Sequence, residues 1–154
     1  VVHGHSVNGR GKRVDALMKS RGAISNLCLV EIKTHETPLL GARPYRSGCW
    51  APSAELSGGV SQVQGTVAAA MDTIRGKLAI TNSDGEPTGE EVFNFSPKAY
   101  LVVGRLHSFA SDLGVNQEKF RSFELFRRNT FSPEIITFDE LYERARFIVH
   151  QNGS

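Results

Sequence analysis

Apolar residues alternate and cluster along this chain in a way that separates strands from helices. Arg13 to Lys19 alternates and predicts a strand, with a turn over Ser20-Arg21-Gly22-Ala23. Leu27-Cys28-Leu29-Val30-Glu31-Ile32-Lys33 predicts a second strand, apolar until its last residues, and the two form an antiparallel hairpin. From Ser53 to Ile74 the residues Leu56, Val60, Val63, Val67, Met71 and Ile74 recur at intervals of three and four, the stripe of an amphipathic helix. Gly58 and Gly59 weaken its first turns unless the helix passes close to other chain there. A polar, glycine-rich excursion covers 82–91, and Ala99 to Gly104 predicts a strand apolar on both faces. Asn116 caps a helix with Phe120, Phe123 and Phe126 inward. Glu134 to Thr137 is a short strand, and Thr137 with Glu140 matches a capping box opening a last helix whose Leu141, Ala145 and Ile148 face inward. Residues 1–10 are compatible with an edge strand running into Gly9-Arg10-Gly11. The plan is α/β with a mixed sheet.

At 154 residues the chain is expected to be a single domain. With 40% hydrophobic and 22% charged residues it lies near the globular average, which excludes disordered and low-complexity classes. No apolar run reaches the length needed to span a bilayer, so no membrane partner is expected. Cys28 and Cys49 are too few for a disulfide framework or a structural zinc site and suit a cytoplasmic protein. A formal net charge of +2 does not by itself declare a nucleic-acid binder, although 12 of the 18 basic residues are arginines. The start at Val1 reads as a fragment lacking an upstream regulatory region.

The hairpin carries the chemistry. Strands paired symmetrically about Ala23 put Asp15 opposite Glu31 and Arg13 opposite Lys33, with directly opposed Cβ atoms roughly 4.5–5.5 Å apart. A period of two puts Glu31 and Lys33 on one face with Leu27, Leu29 and Leu17. Two carboxylates in apolar surroundings repel and are costly to desolvate; a hard cation with oxygen ligands, Mg²⁺ or Mn²⁺, is the cheapest compensation. Such an ion activates water and polarises a phosphoryl oxygen, and Lys33 would offset charge developing there. The triplet alone says little, since chance supplies about 0.6 acid-x-Lys triplets in a chain of this composition. Glu55 and Gln62, seven apart on one helix face, add to it. In the long 34–52 connection, Arg43, Tyr45, Arg46 and Trp50 offer a phosphate grip and stacking platforms, against the plainer reading of a pinned loop with arginines in water.

His3 with His5, and His35, are weak metal candidates, and Cys28 lies on the face opposite Glu31 with no base to activate it. Arg127-Arg128 and Arg144/Arg146 read as solvated helix faces.

Val14-Asp15-Ala16-Leu17, Leu29-Val30-Glu31-Ile32-Lys33 and Glu55-Leu56-Ser57-Gly58-Gly59-Val60-Ser61-Gln62 together resemble the PD-(D/E)xK nuclease superfamily. More narrowly they resemble the nuclease domain of Shedu anti-phage defence proteins, through Tyr45-Arg46 and Phe138-Asp139-Glu140-Leu141 as well. The resemblance implies a restriction-endonuclease-like core, a mixed sheet flanked by helices, and Mg²⁺- or Mn²⁺-dependent DNA cleavage in a homo-oligomer. Carried over by position, Asp15, Glu31 and the Ile32 carbonyl would be metal ligands, Lys33 the catalytic lysine and Gln62 the helix glutamine that orients water or the scissile strand, with Glu55 behind them. Val14 stands where the motif has proline, and the superfamily's leading helix is not evident before Val1. The rival reading is a non-catalytic nucleic-acid-binding or protein-interaction module on the same scaffold.

Overall fold

The computed structural model describes residues 15–19, 24–74 and 76–151. The expectations placed on His3, His5, residues 9–11, Arg13, Val14 and the turn over 20–23 lie outside them. The strands are β1 (Ala16–Lys19), β2 (Ser25–Ile32), β3 (Gly76–Thr81), β4 (Pro87–Val102), β5 (Ala110–Ser111), β6 (Gly114–Val115) and β7 (Glu134–Ile136). The helices are α1 (Ala54–Thr73), α2 (Gln117–Asn129) and α3 (Phe138–Gln151). The main sheet runs β1-β2-β4-β3 with β7 also paired to β4, and β5-β6 form a separate ribbon. It is a mixed sheet flanked by helices, the α/β architecture expected. Two compact units share the chain: residues 1–31 with 61–100, and 32–60 with 101–154.

In the first unit β1 pairs antiparallel with β2, Ala16 facing Val30 and Lys19 facing Leu27, the register expected from symmetry about Ala23. β2 alternates as its sequence does: Leu27, Leu29 and Glu31 are buried, while the residues between them are more exposed. Leu27 packs with Ile74, Leu78 and Val92, and Leu17 and Ile80 close the cluster's edge. The polar excursion expected over 82–91 is instead mostly ordered hairpin. β4 begins at Pro87 and pairs with β3, with only Asn82 to Glu86 forming the turn. Asn82 Oδ1 closes that turn by accepting from the N–H groups of Asp84 and Glu86. The buried side of this half of α1 runs through Val63, Thr66, Ala70 and Ile74, whereas Met71, expected in the stripe, is 46% exposed. Asn94 on β4 is buried, and its Nδ2 donates to the Ala70 and Ile74 carbonyls at 2.9 and 2.8 Å. It thereby satisfies the Ile74 carbonyl at the helix end and adds a second donor to the Ala70 carbonyl, which already accepts the Ile74 N–H.

In the second unit Lys33 N–H donates to Val102 O and Gly104 N–H to Thr34 O, so the two chains advance in the same direction, as parallel strands do. Val103 and Phe138 repeat the pattern with Ile136 and Gly104. α1 starts at a Ser53 cap: its Oγ accepts from Leu56 N–H at 2.9 Å and donates to Pro38 O at 2.6 Å. Asn116 caps α2 through Lys119 N–H, and Phe123 is the fully buried centre of that helix, with Phe120 38% exposed.

α3 opens as expected, with Glu140 accepting from the N–H of its own cap residue Thr137 at 3.1 Å. The Thr137 hydroxyl, however, donates towards the Glu140 carboxylate, and the Glu140 N–H turns to Asp139. Asp139 also receives the N–H groups of Leu106 and His107, which open a short 3₁₀ turn over Leu106–Phe109. Arg127 is no solvated residue. It forks onto Glu140 at 2.7 and 2.8 Å and meets Glu124 at 2.6 Å, with its side chain 18% exposed. The inward-facing expectation for α3 fails: Leu141, Ala145 and Ile148 are exposed, with Tyr142 and Val149 beside them. Periodicity identifies an apolar face but not whether anything covers it.

Burial opposes charge on Glu140, but the Arg127 fork and the Thr137 N–H and hydroxyl outweigh it and hold the carboxyl below its ordinary range. A depressed folded pKa contributes stability above the unfolded value of about 4.3, lost as pH falls through the folded value. Glu140→Gln should therefore cost about 1.5–3 kcal/mol in urea unfolding at pH 7. The gap from the parent should narrow steadily as pH falls below about 4; a gap independent of pH would show that charge is not what Glu140 contributes. Asn94→Leu should lower stability by about 1–3 kcal/mol, because the buried side chain no longer donates to the Ile74 carbonyl and the Ala70 carbonyl keeps only the Ile74 N–H. An unchanged urea midpoint would deny the cap any net value.

Candidate functional site

Glu31 is 6% exposed and lies on the β2 face that carries Leu27 and Leu29, each 1% exposed. Strand alternation alone puts it there. Burying a carboxylate among leucines is expensive without donors. Gln62, near the middle of α1, supplies one: its Nε2 donates to Glu31 Oε1 at 2.7 Å. The donor is a neutral amide, so it fixes the carboxylate without cancelling its charge. Buried Thr66, one turn further along α1, donates from Oγ1 to the Gln62 carbonyl at 2.9 Å. A small cavity here is lined by Leu29, Val30, Glu31, Val63 and Thr66. Continuing the β1–β2 register by one residue puts Asp15, which is exposed, across from Glu31. Asp15, Glu31 and Gln62 thus share one corner of the first unit.

Ile32 and Lys33 follow Glu31 directly in the chain and belong to the second unit. Ile32 is 47% exposed. Lys33 is half-buried; its N–H is bound to Val102 O at 2.9 Å and its stem runs beside Gly59. Glu55 is exposed in the first turn of α1, where a negative charge complements the helix dipole.

The connection from Thr34 to Ser53 is folded back on itself. Leu40 bridges to Pro52, Gly41 N–H donates to Ala51 O, and Ser53 N–H donates to Leu39 O. Its tip turns over Arg46–Cys49, with Gly48 at φ +69°, and Arg121 of α2 donates to the Gly48 carbonyl. Trp50 is not an open platform: its backbone N–H donates to Ser122 Oγ, and the Lys119 ammonium sits 4.5 Å from its ring centre. Arg43, Tyr45 and Arg46 are exposed, Tyr45 by 72%, with the Arg46 guanidinium 5.7 Å from the Tyr45 ring centre. His35 lies edge-on to Phe138 and 3.8 Å from Glu36. Burial raises the Cys28 thiol pKa, which disfavours the reactive thiolate.

Sequence reasoning missed Thr66, Asn94 and the Arg127–Glu140–Asp139 cluster. Thr66 had a signal, since it continues the interval Val63, Thr66, Ala70. Asn94 had none, because its value depends on where α1 ends.

Among the described residues, no three His, Cys, Asp or Glu side chains are grouped to hold a metal. The donor set does fit Mg²⁺ or Mn²⁺, since Mg²⁺ is commonly bound through one or two carboxylates, with waters and substrate phosphate completing the shell. Among the described residues no helix is long and apolar enough to cross a membrane.

The chain is 29% identical over 143 residues to the Shedu protein SduA of Bacillus cereus (strain B4264), an alignment covering 92% of this chain and 35% of that protein. It therefore spans about a third of the length of that curated relative. Residues 2–142 match the family described as Shedu protein SduA, C-terminal, so the stretch holding Asp15, Glu31, Lys33 and Gln62 lies wholly within it, and the chain belongs to that family.

Proposed function

We propose that this chain is a divalent-metal-dependent DNA endonuclease domain of the PD-(D/E)xK type, acting in bacterial anti-phage defence. The observation that supports it is the buried Glu31 carboxylate, oriented by a neutral amide on a strand pair whose register brings Asp15 to the facing position. Carboxylates opposed in this way repel, and a divalent cation shared between them would relieve that repulsion. Asp15, Glu31 and the Ile32 carbonyl would hold Mg²⁺ or Mn²⁺. When bound, the ion supplies Lewis acidity at the scissile phosphate and a lowered pKa for water. Gln62 keeps Glu31 in one orientation, so that the site is organised before substrate arrives. Lys33 brings a compact positive charge to offset the charge that builds on the phosphate in the transition state. Exposed Arg43 and Arg46 offer planar forks to backbone phosphates, and Tyr45 offers a ring for a base to stack on.

With supercoiled and linear DNA and Mg²⁺ or Mn²⁺, Glu31→Ala and Lys33→Ala should each lower the cleavage rate on the order of 10²-fold or more, with folding intact by circular dichroism. Calorimetric titration of the parent with Mn²⁺ should give a site that Glu31→Ala abolishes. Arg43→Ala with Arg46→Ala should weaken DNA binding and flatten its salt dependence by about two phosphate contacts. Unchanged cleavage in both site variants would end the mechanism. DNA binding with no Mn²⁺ site would favour the non-catalytic module.

A further inference from the structure

The two adjacent glycines of α1 both weaken a helix relative to alanine, yet their surroundings differ. Gly58 is exposed, and a Cβ built there meets nothing within 4 Å. Gly59 is buried, and a Cβ there would stand 3.1 and 3.2 Å from the two terminal methyls of Leu101 and 3.7 Å from Cε of Lys33. Leu101 is wholly buried and cannot swing out to make room. The residue after it, Val102, accepts the Lys33 N–H at 2.9 Å. The same short stretch of β4 therefore holds the Lys33 backbone and sets how near the helix comes. The helix surface at Gly59 in turn lies against the carbon that bears the Lys33 ammonium.

We propose that Gly59 is a positioning residue for Lys33, and that Gly58 is not. The bare Cα lets α1 close onto Leu101 and leaves a smooth floor for the lysine stem, which limits where the ammonium can go. A methyl at this position would displace Leu101 by a few tenths of an ångström while meeting Cε at ordinary contact distance, so the amine is redirected through the Leu101–Val102 stretch that holds the Lys33 backbone. The catalytic consequence rests on the reading of Lys33 as the amine of a nuclease site; the packing consequence does not.

The test compares Gly58→Ala with Gly59→Ala in this chain. Gly58→Ala should raise the melting temperature by a few degrees and leave cleavage within about twofold. Gly59→Ala should lower kcat about tenfold or more with KM nearly unchanged. Added to Lys33→Ala, it should lower the residual rate no further, because a residue that acts through Lys33 has nothing left to act on. A second readout needs no activity: after ¹³C reductive methylation, the Lys33 resonance, assigned with Lys33→Arg, should move in Gly59→Ala and stay in place in Gly58→Ala. Should Gly59→Ala not fold, the pair Gly59→Ala with Leu101→Ala gives the methyl room and should still move that resonance. Parent-like cleavage by Gly59→Ala, an equal further loss in the Lys33→Ala background, or an unmoved resonance would each overturn the proposal. A parent chain that cleaves nothing would instead sink the nuclease reading, with the resonance still deciding this one.

Discussion

A carboxylate withdrawn from water among leucines is the most demanding group in the first unit, and the rest of that unit is arranged to satisfy it. The alternation that buries Leu27 and Leu29 buries Glu31 as well, because strand geometry does not distinguish them. A slip of one residue would expose the leucines and bring Cys28 and Val30 inward, so the apolar pair fixes the acid's address. Gln62 answers from α1, and Thr66 binds back onto the Gln62 carbonyl from the next turn. The helix is in turn anchored at its end by Asn94 and by the packing of Ile74 against Leu27. Sheet and helix therefore meet at a polar contact whose position is set by apolar ones.

How much of this was legible depended on whether the information is local. The β1–β2 register could be read because both strands have strong two-residue periodicity and few residues separate them in the sequence. The caps at Asn116 and Thr137 sit just before helical stripes, where short polar side chains have few other uses. The β3–β4 hairpin was hidden because Thr88 to Glu91 is polar and exposed, so its alternation carries no apolar signal until Val92. Arg127 was misjudged for a related reason. Its neighbour Glu124 lies three residues away, but the decisive partner Glu140 is across the fold on another helix. Trp50 likewise looked available until α2 was seen to supply Ser122 and Lys119.

The second unit is held by polar contacts to an unusual degree at its helix ends. Asp139 ties the start of the 3₁₀ turn to the start of α3, and burial, although it opposes charge there, is overcome by the Thr137 hydroxyl and the N–H groups of His107 and Leu106. Apolar packing centres on Phe123, with Phe109 close to it at 5.8 Å between ring centres. Much of the α3 surface contributes nothing to that core, since none of its residues is fully buried. Charged and hydrogen-bonded groups at its first turn thus do the work that an apolar face does for α1.

Two glutamates in one chain, Glu31 and Glu140, are oriented by donors of different kinds. Glu140 meets a guanidinium fork, and its negative charge is cancelled inside the protein. Such a group stabilises a fold and has little charge left to offer a ligand. Glu31 is more deeply buried, yet the side chain that orients it is an amide, which supplies direction and no charge. The Gln62 amide sets the direction of Glu31, whereas the Arg127 fork sets both the direction and the charge balance of Glu140.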